Sequence, residues 1–137
     1  MRIVLDANVL VSALLREDGQ ARKIVRRAAT EYTLVLSDFL LIKTEEAFQK
    51  PRLRRKASHI TPDRVTTYIT ELRNIGDVAE ERSIVTESTD PEDNRIIAAA
   101  IDGTADYLVT YNTAHFLNVT SVHILDPSTF QKLIRAY

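Results

Sequence analysis

The residues of this sequence that could carry out chemistry are oxygen-bearing side chains placed where apolar segments end or begin. Asp6 directly follows the apolar residues 3–5, and Asp93 lies just before the strongly apolar segment that starts at Ile96. The candidate polar residues are Asp6, Asn8, Ser12, Asp90, Asp93, Thr110 and Asn112, and all but Ser12 lie at such a junction. Clustered oxygen ligands without cysteine favour a hard cation, Mg²⁺ or Mn²⁺, over zinc.

The elements that must position these residues alternate between short apolar runs and helical patterns. The apolar runs predict strands at residues 3–5, 33–36, 107–109 and 122–125, with a weaker edge strand over 78–85. Helical spacing predicts helices over residues 9–15, 21–30, 39–50, 62–76 and 96–103, and a last helix after Pro127. This alternation predicts an α/β fold with a central parallel sheet of four to five strands and helices on both faces. Ligands of such sheets bind outside the carboxyl ends of the strands, where Asp6 lies.

Length and composition restrict the possible classes of protein. A chain of 137 residues suffices for one core, so we expect a single domain over residues 1–137. The net charge of −1 provides no strong overall field, so any binding of nucleic acid requires a local basic patch. The absence of cysteine excludes disulfides and fits a reducing cytoplasm. No apolar run reaches the roughly 18 residues of a membrane span, so we expect no membrane partner.

Each candidate residue also has a purely structural interpretation. Asp6 could cap the helix that follows it, and Asp90 or Asp93 could cap the helix that contains Ile96. Thr110 could be an ordinary threonine at the end of a strand, and Asn112 an ordinary turn residue. Carboxylates at two separate strand–helix junctions are what favours a metal site over these alternatives.

Five motifs, taken in order, resemble the PIN domain family, the metal-dependent ribonuclease fold of VapC-type bacterial toxins. They are LDANVLVSALL, LSDFLL followed by KPRLRRK, TDPEDNRIIAAA, ADYLVTYN and VHILDPSTF. Their order and spacing cover nearly the whole chain, and the basic segment is most similar to toxin components of toxin–antitoxin pairs. The resemblance implies a three-layer PIN-like fold, hydrolysis of RNA with Mg²⁺ or Mn²⁺, a small antitoxin partner and a homodimer.

The resemblance implies that Asp6 and Asp93 are metal ligands and that Asp90 assists them. One or two ions held there would activate a water and stabilise charge in the transition state. Asn8 would support Asp6 by hydrogen bonding, and Thr110 would bond a ligand carboxylate or a phosphate.

The sequence departs from the family pattern at two acids. Lys43 stands where the family has a glutamate, and Asn112 stands where an aspartate is usual. Glu46 could replace the missing glutamate, because in a helix it lies about 60° around and roughly 4.5 Å along from position 43. A cation at position 43 would repel a metal ion, so we expect weaker metal affinity than four carboxylates give.

Residues 50–56, KPRLRRK, form the one dense basic patch. Both the acidic site and RNA are negatively charged, so cations must bring them together. The candidate phosphate-binding residues are Arg52, Arg54, Arg55 and Lys56. The alternative is a solvated surface without a ligand.

Two other functions remain open from the sequence. A PIN module weakened by Lys43 could act by binding RNA or protein without catalysis. An aspartyl-phosphate enzyme, such as a haloacid-dehalogenase phosphatase or a receiver domain, fits less well, because the phosphatase needs a second aspartate where this chain has Asn8.

Overall fold

A computed structural model describes residues 1–135 of the chain, so residues 136 and 137 of the predicted domain lie outside the described part. Five short apolar segments form strands in this part. They are β1 (Arg2–Leu5), β2 (Thr33–Leu36), β3 (Asp77–Val78), β4 (Tyr107–Val109) and β5 (His123–Leu125). All neighbouring strands are parallel, in the order β3-β2-β1-β4-β5.

The central strand is buried on both of its faces, because successive side chains of a strand point to opposite sides. Ile3, Val4 and Leu5 each have no exposed surface. Val4 pairs in register with Val35 of β2 on one side and with Leu108 of β4 on the other. The predicted α/β fold, with a parallel sheet covered on both faces, is therefore confirmed.

Helices connect the strands, and capping residues determine where several of them begin. The helices of the described residues are α1 (Ala7–Leu15), α2 (Gln20–Arg26), α3 (Asp38–Ala47), α4 (Pro51–Lys56), α5 (Pro62–Ile75), α6 (Pro91–Asp102), α7 (Pro127–Arg135) and a 3₁₀ helix at Thr113–Phe116. The Ser37 hydroxyl accepts a hydrogen bond from the Leu40 N–H, and the Thr61 hydroxyl accepts one from the Arg64 N–H. Both contacts satisfy backbone donors that a helix start leaves unpaired. Within residues 1–135, no helix combines the length and apolar character needed to cross a membrane.

The structure differs most from the sequence prediction in the second helix, the edge strand and the basic segment. The second helix ends at Arg26 instead of residue 30, and Ala29 adopts a left-handed backbone with φ of 70°. The predicted edge strand over 78–85 was wrong beyond Val78. The chain leaves the sheet there, and the backbone N–H groups of Arg82 and Ser83 donate to the Asp102 carboxylate at 2.6 and 2.9 Å. The basic segment forms helix α4, which begins at a proline in its first turn.

The strand order positions the polar residues identified from the sequence. β1 lies between β2 and β4, so the chain connections run to opposite sides of β1. Such a switch point opens a crevice at the carboxyl ends of the strands. Asp6 follows β1 and Thr110 follows β4, so both lie at this crevice.

Candidate metal centre

The inner wall of the site, which we define as Asp6, Asn8 and Thr110, is a hydrogen-bonded network at the ends of β1 and β4. The backbone N–H of Asp6 donates to the Val109 carbonyl at 2.9 Å, which continues the sheet by one residue. One carboxylate oxygen of Asp6, Oδ1, accepts from the Ala7 N–H at 2.7 Å. Asp6 is therefore the N-cap of α1, and this structural role leaves its second oxygen, Oδ2, for other contacts.

Thr110 is the centre of the inner wall and is fully buried. Its hydroxyl donates to Asp6 Oδ2 at 2.9 Å and accepts from Asn8 Nδ2 at 3.1 Å. The same oxygen accepts from the Asn112 backbone N–H at 3.1 Å. Asn8 was expected to bond Asp6 directly, but it supports Asp6 through Thr110. The Asn8 amide donates to the Thr110 hydroxyl and accepts from the Tyr111 N–H.

Burial raises the pKa of Asp6 above its usual range, although hydrogen bonds from Thr110 and Ala7 oppose this effect. The positive charge of Lys43 and the nearby His115 also lower the pKa, by less. The net upward shift means that the ionised carboxylate lacks full compensation for its burial. A cation bound at Asp6 would supply that compensation.

The outer wall, which we define as Lys43, Glu92 and Asp93, lies where α3 contacts the first turn of α6. Asp90 is the N-cap of α6, and its carboxylate accepts from the Glu92 N–H at 2.9 Å. Lys43 Nζ forms an ion pair with the Glu92 carboxylate, and both side chains are partly exposed. Lys43 therefore neutralises an acid of its own wall before any ion binds.

Asp93 is half-buried, and burial is the main reason that its pKa is raised. The negative charges of Asp90 and Asp6 raise the pKa further, and His115 and Lys43 lower it. Asp6 and Asp93 are thus near enough for their charges to interact across the crevice. A divalent cation bound at Asp93 would offset the unfavourable charge that Asp6 and Asp90 impose on it.

The remaining predicted residues lie farther from this pair or contact it through the backbone. Glu46 is exposed on α3 and is not among the charges that shift the pKa of Asp6 or Asp93. The side chain of Asn112 is exposed, and its contact with the site is through its backbone N–H. Ser12 lies within α1, and in the described residues its side chain makes no hydrogen bond to the site. Arg52, Arg54, Arg55 and Lys56 are all exposed on α4, which follows α3 after a short turn.

One residue of the site was missed from the sequence. His115, in the 3₁₀ helix, places Nδ1 3.7 Å from Asp93 Oδ2. It belongs to the turn that follows β4, three residues after Asn112, and it is one of only three histidines in the chain. Its position after β4 and the scarcity of histidine were the only features of the sequence that could have pointed to His115. Its proximity to Asp93 depends on how the turn packs near α6.

The donor set of the site suits magnesium better than zinc. In the part of the chain that the structure describes, no group of three or more aspartate, glutamate or histidine side chains is arranged to hold a metal ion. Mg²⁺ commonly uses one or two protein carboxylates and completes its shell with waters and substrate phosphates. Asp6 and Asp93 fit that requirement, because both are carboxylates destabilised by burial and Asp93 also by negative charge.

Comparison with protein families gives one match that spans most of the chain. A model of the PIN domain matches residues 2–114, in agreement with the resemblance of the five motifs. No curated protein sequence gives a significant match.

Solved structures with a similar fold include chains of VapBC and FitAB. A chain of VapBC2 from Rickettsia felis, bound to a promoter DNA fragment, has a TM-score of 0.67 at 15% identity over 92% of this chain and 98% of that chain. A chain of VapBC-1 from nontypeable Haemophilus influenzae has a TM-score of 0.65 at 16% identity over 93% of this chain and 99% of its own. A chain of FitAB bound to an IR36 DNA fragment has a TM-score of 0.62 at 18% identity, covering 91% and 94% of the two chains. At these identities the similarity is one of fold.

Proposed function

This chain belongs to the PIN domain family, and we propose that it is a metal-dependent ribonuclease that acts as the toxin of a toxin–antitoxin pair. The observation that carries the proposal is the placement of Asp6 directly after β1, at the switch point of the parallel sheet, with Asp93 in the first turn of α6. The toxin role is supported by fold similarity to VapBC and FitAB complexes.

Asp6 and Asp93 would hold Mg²⁺ or Mn²⁺, with Asp90 adding negative charge from the start of α6. When bound, the ion supplies an activated water and neutralises charge on the phosphate during hydrolysis of the RNA phosphodiester. Thr110 holds one oxygen of Asp6 in place, and Asn8 and the Asn112 backbone in turn orient the Thr110 hydroxyl. This inner network keeps Asp6 directed at the crevice before the ion arrives.

Helix α4 is the proposed guide for the RNA backbone. Arg52, Arg54, Arg55 and Lys56 present four exposed positive charges on six residues of helix. Each cation that contacts a phosphate of single-stranded RNA contributes about 0.7 to the slope of log affinity against log salt concentration. Replacing Arg54 and Arg55 by alanine should therefore lower the affinity for RNA and reduce this slope, while a paired change of Arg16 and Lys23, exposed on other elements, should not.

Nuclease activity is tested by incubating the purified protein with RNA and Mg²⁺ or Mn²⁺. Cleavage should require the ion, stop on addition of a chelator, and disappear in Asp93→Asn. Asp63→Asn is the matched control, because Asp63 is also in the first turn of a helix but is exposed on α5. Cleavage that persists in Asp93→Asn, or that continues in the presence of the chelator, would contradict the proposal.

The partners follow from the same proposal. We infer a small antitoxin that covers the crevice, a homodimer, and action in the cytoplasm. Expression of the chain alone should arrest growth, and co-expression of the neighbouring small reading frame should relieve the arrest. Analytical ultracentrifugation of the purified chain tests the dimer, and a monomer across the accessible concentrations would contradict it.

A second function is favoured by one observation, the ion pair between Lys43 and Glu92. Lys43 also acts on both Asp6 and Asp93, so it occupies part of the electrostatic role of a metal ion. The chain would then be a weakened PIN module that binds RNA or a protein partner. Calorimetric titration with Mg²⁺ and Mn²⁺ separates the two functions, since only the ribonuclease requires measurable binding at millimolar ion concentrations.

A further inference from the structure

A cavity of about 370 Å³ opens beside Asp93, between the loop that precedes α6 and the 3₁₀ helix. We name it the side pocket; besides Asp93 its lining includes Ser88, Thr89, His115, Leu117 and Asn118. The volume falls in the range of roughly 300–1,000 Å³ that is usual for small-molecule sites. Since the side pocket shares Asp93 with the candidate metal centre, its occupant would be adjacent to whatever reacts there.

The walls of the side pocket are held in place by contacts within the protein. The Asn94 amide bonds Ser88 twice: Oδ1 accepts from the Ser88 N–H, and Nδ2 donates to the Ser88 carbonyl, both at 2.9 Å. The Glu87 carboxylate accepts from the Thr120 N–H at 2.8 Å, which ties the loop before α6 to the loop before β5. On the other wall, Phe116 is buried in the core and anchors the 3₁₀ helix. A pocket with fixed walls needs little reorganisation to accept a ligand.

The chemistry of the lining selects a neutral, flat group with hydrogen-bond donors. Glu87, Asp90 and Asp93 contribute three carboxylates, so a phosphate would be repelled. Leu117 leaves 80% of its surface exposed at this cavity, which suits an apolar face rather than a charged head group. The Asn118 amide offers both a donor and an acceptor for reading an edge.

We propose that the side pocket takes one unpaired nucleobase of the RNA, next to the phosphodiester that is cut; this inference rests on the proposed ribonuclease function. Bases of single strands are free to leave the stack and to be read on their edges, whereas those of a helix are not. Adenine, cytosine and guanine carry an amino group that can donate to the acidic lining. Uracil presents two carbonyl groups and a single N–H, so it is the disfavoured base.

The first test is sequencing of the fragments that the protein produces from a randomised single-stranded RNA pool. The wild-type protein should disfavour uracil at one position beside the cut, roughly tenfold, as expected from the loss of one hydrogen bond to a carboxylate. Leu117→Ser and Asn118→Ala should flatten that preference. Ile84→Ser is the control, because Ile84 is 95% exposed and does not line the side pocket. Cleavage with no preference, or with the same preference in both pocket variants, overturns the inference.

The second test needs neither metal nor catalysis. Adenosine, cytidine, guanosine and uridine, which carry no phosphate, are titrated into the metal-free protein while NMR follows the Leu117 methyl and Asn118 amide signals. Shifts with the first three and weaker ones with uridine support the inference. If the wild-type protein cuts no RNA, the proposed ribonuclease is wrong and this titration alone decides whether the side pocket binds a base. Shifts with N-acetylarginine amide and none with nucleosides would overturn the inference and assign the side pocket to a cationic side chain of a protein partner.

Discussion

The inner and outer walls of the candidate metal centre are built in opposite ways. In the inner wall Asp6 and Thr110 are buried and Asn8 is half-buried, and their polar atoms are joined in a network from Asn8 through Thr110 to Asp6. The outer wall is partly exposed, and its main contact is the ion pair of Lys43 with Glu92. The strand order of the sheet determines the inner wall. The packing of α3 against α6 determines the outer wall, because it brings their charged side chains together.

This difference predicts which wall the candidate metal centre depends on and which wall can vary. Buried, fully bonded networks are rigid and costly to disrupt, because each lost contact leaves a polar group unpaired. Exposed ion pairs contribute little to stability and can rearrange. The inner wall should therefore control whether an ion binds at all, and the outer wall should adjust how tightly.

The largest effect is expected from Asp6→Ala, which removes the proposed metal ligand of the inner wall. Nuclease activity dependent on the divalent cation should fall below detection. The lost cap of α1 costs about 1 kcal/mol and the Thr110 hydroxyl loses its acceptor, but removal of a buried carboxylate offsets part of this cost, so the protein should remain folded. Asp126→Ala is the control, since Asp126 also accepts from a backbone N–H in the first turn of a helix, that of Thr129 in α7, and belongs to neither wall. Activity near wild type in Asp6→Ala would place the chemistry elsewhere.

Thr110→Val tests the inner wall without removing a ligand. Valine keeps the shape but leaves the Asn8 amide and the Asn112 N–H without their acceptor, and it frees one oxygen of Asp6. Metal affinity measured by calorimetry should drop by roughly 10–100-fold, as is usual when a ligand loses its supporting hydrogen bond.

Thr44→Val provides the matched control for Thr110→Val. Thr44 is also fully buried, and its hydroxyl donates to the Leu40 carbonyl at 2.8 Å within α3. Both changes remove one buried hydroxyl, but Thr44→Val breaks only the bond to the Leu40 carbonyl, so it should lower stability less and leave metal affinity unchanged. Equal losses of metal affinity in the two variants would show that the inner wall has no special role.

Lys43→Gln tests the outer wall and should tighten Mg²⁺ binding. A unit charge about 4 Å away in a water-like environment contributes about 1 kcal/mol, or roughly fivefold in affinity. Lys43→Glu should increase the affinity further, and Glu46→Gln should change it little, because Glu46 is exposed and does not act on Asp6 or Asp93. Lys23→Gln, on the exposed side of α2, controls for the change in net charge. A larger effect from Glu46→Gln than from Lys43→Gln would reverse the assignment.

The two walls also differ in how far the sequence predicts them. The apolar residues of β1, β2 and β4 and the carboxylate after β1 are local signals, so the sheet and the position of Asp6 could be inferred directly. The pairing of Lys43 with Glu92 joins residues 49 apart in the chain, and no local pattern encodes it. The same holds for His115, whose position beside Asp93 depends on the packing of a turn. Residues 79–85 were predicted as part of a weak edge strand, yet they lie outside the sheet, where the Arg82 and Ser83 N–H groups donate to Asp102.

The smallest effect concerns the repulsion between the walls in the metal-free protein. Burial and the charges of Asp90 and Asp6 raise the pKa of Asp93 above its unfolded value of 3.8. At a pH between the unfolded and the folded pKa of Asp93, the folded state binds more protons than the unfolded state. Stability therefore falls as the pH rises through this window. The resulting penalty is absent below the unfolded pKa and fully present above the folded pKa.

Asp93→Asn removes this ionisation and should raise the Tm of the metal-free protein by a few degrees at most at pH 7. The gain should shrink as the pH is lowered towards 4, because the wild-type carboxyl then becomes protonated and loses the same repulsion. Added Mg²⁺ should raise the Tm of the wild-type protein and not that of the variant, because a ligand that binds only the folded state stabilises it. If the gain in Tm is constant from pH 4 to pH 7, the variant is stabilised by the packing of its new amide alone. The two walls would then not interact through charge.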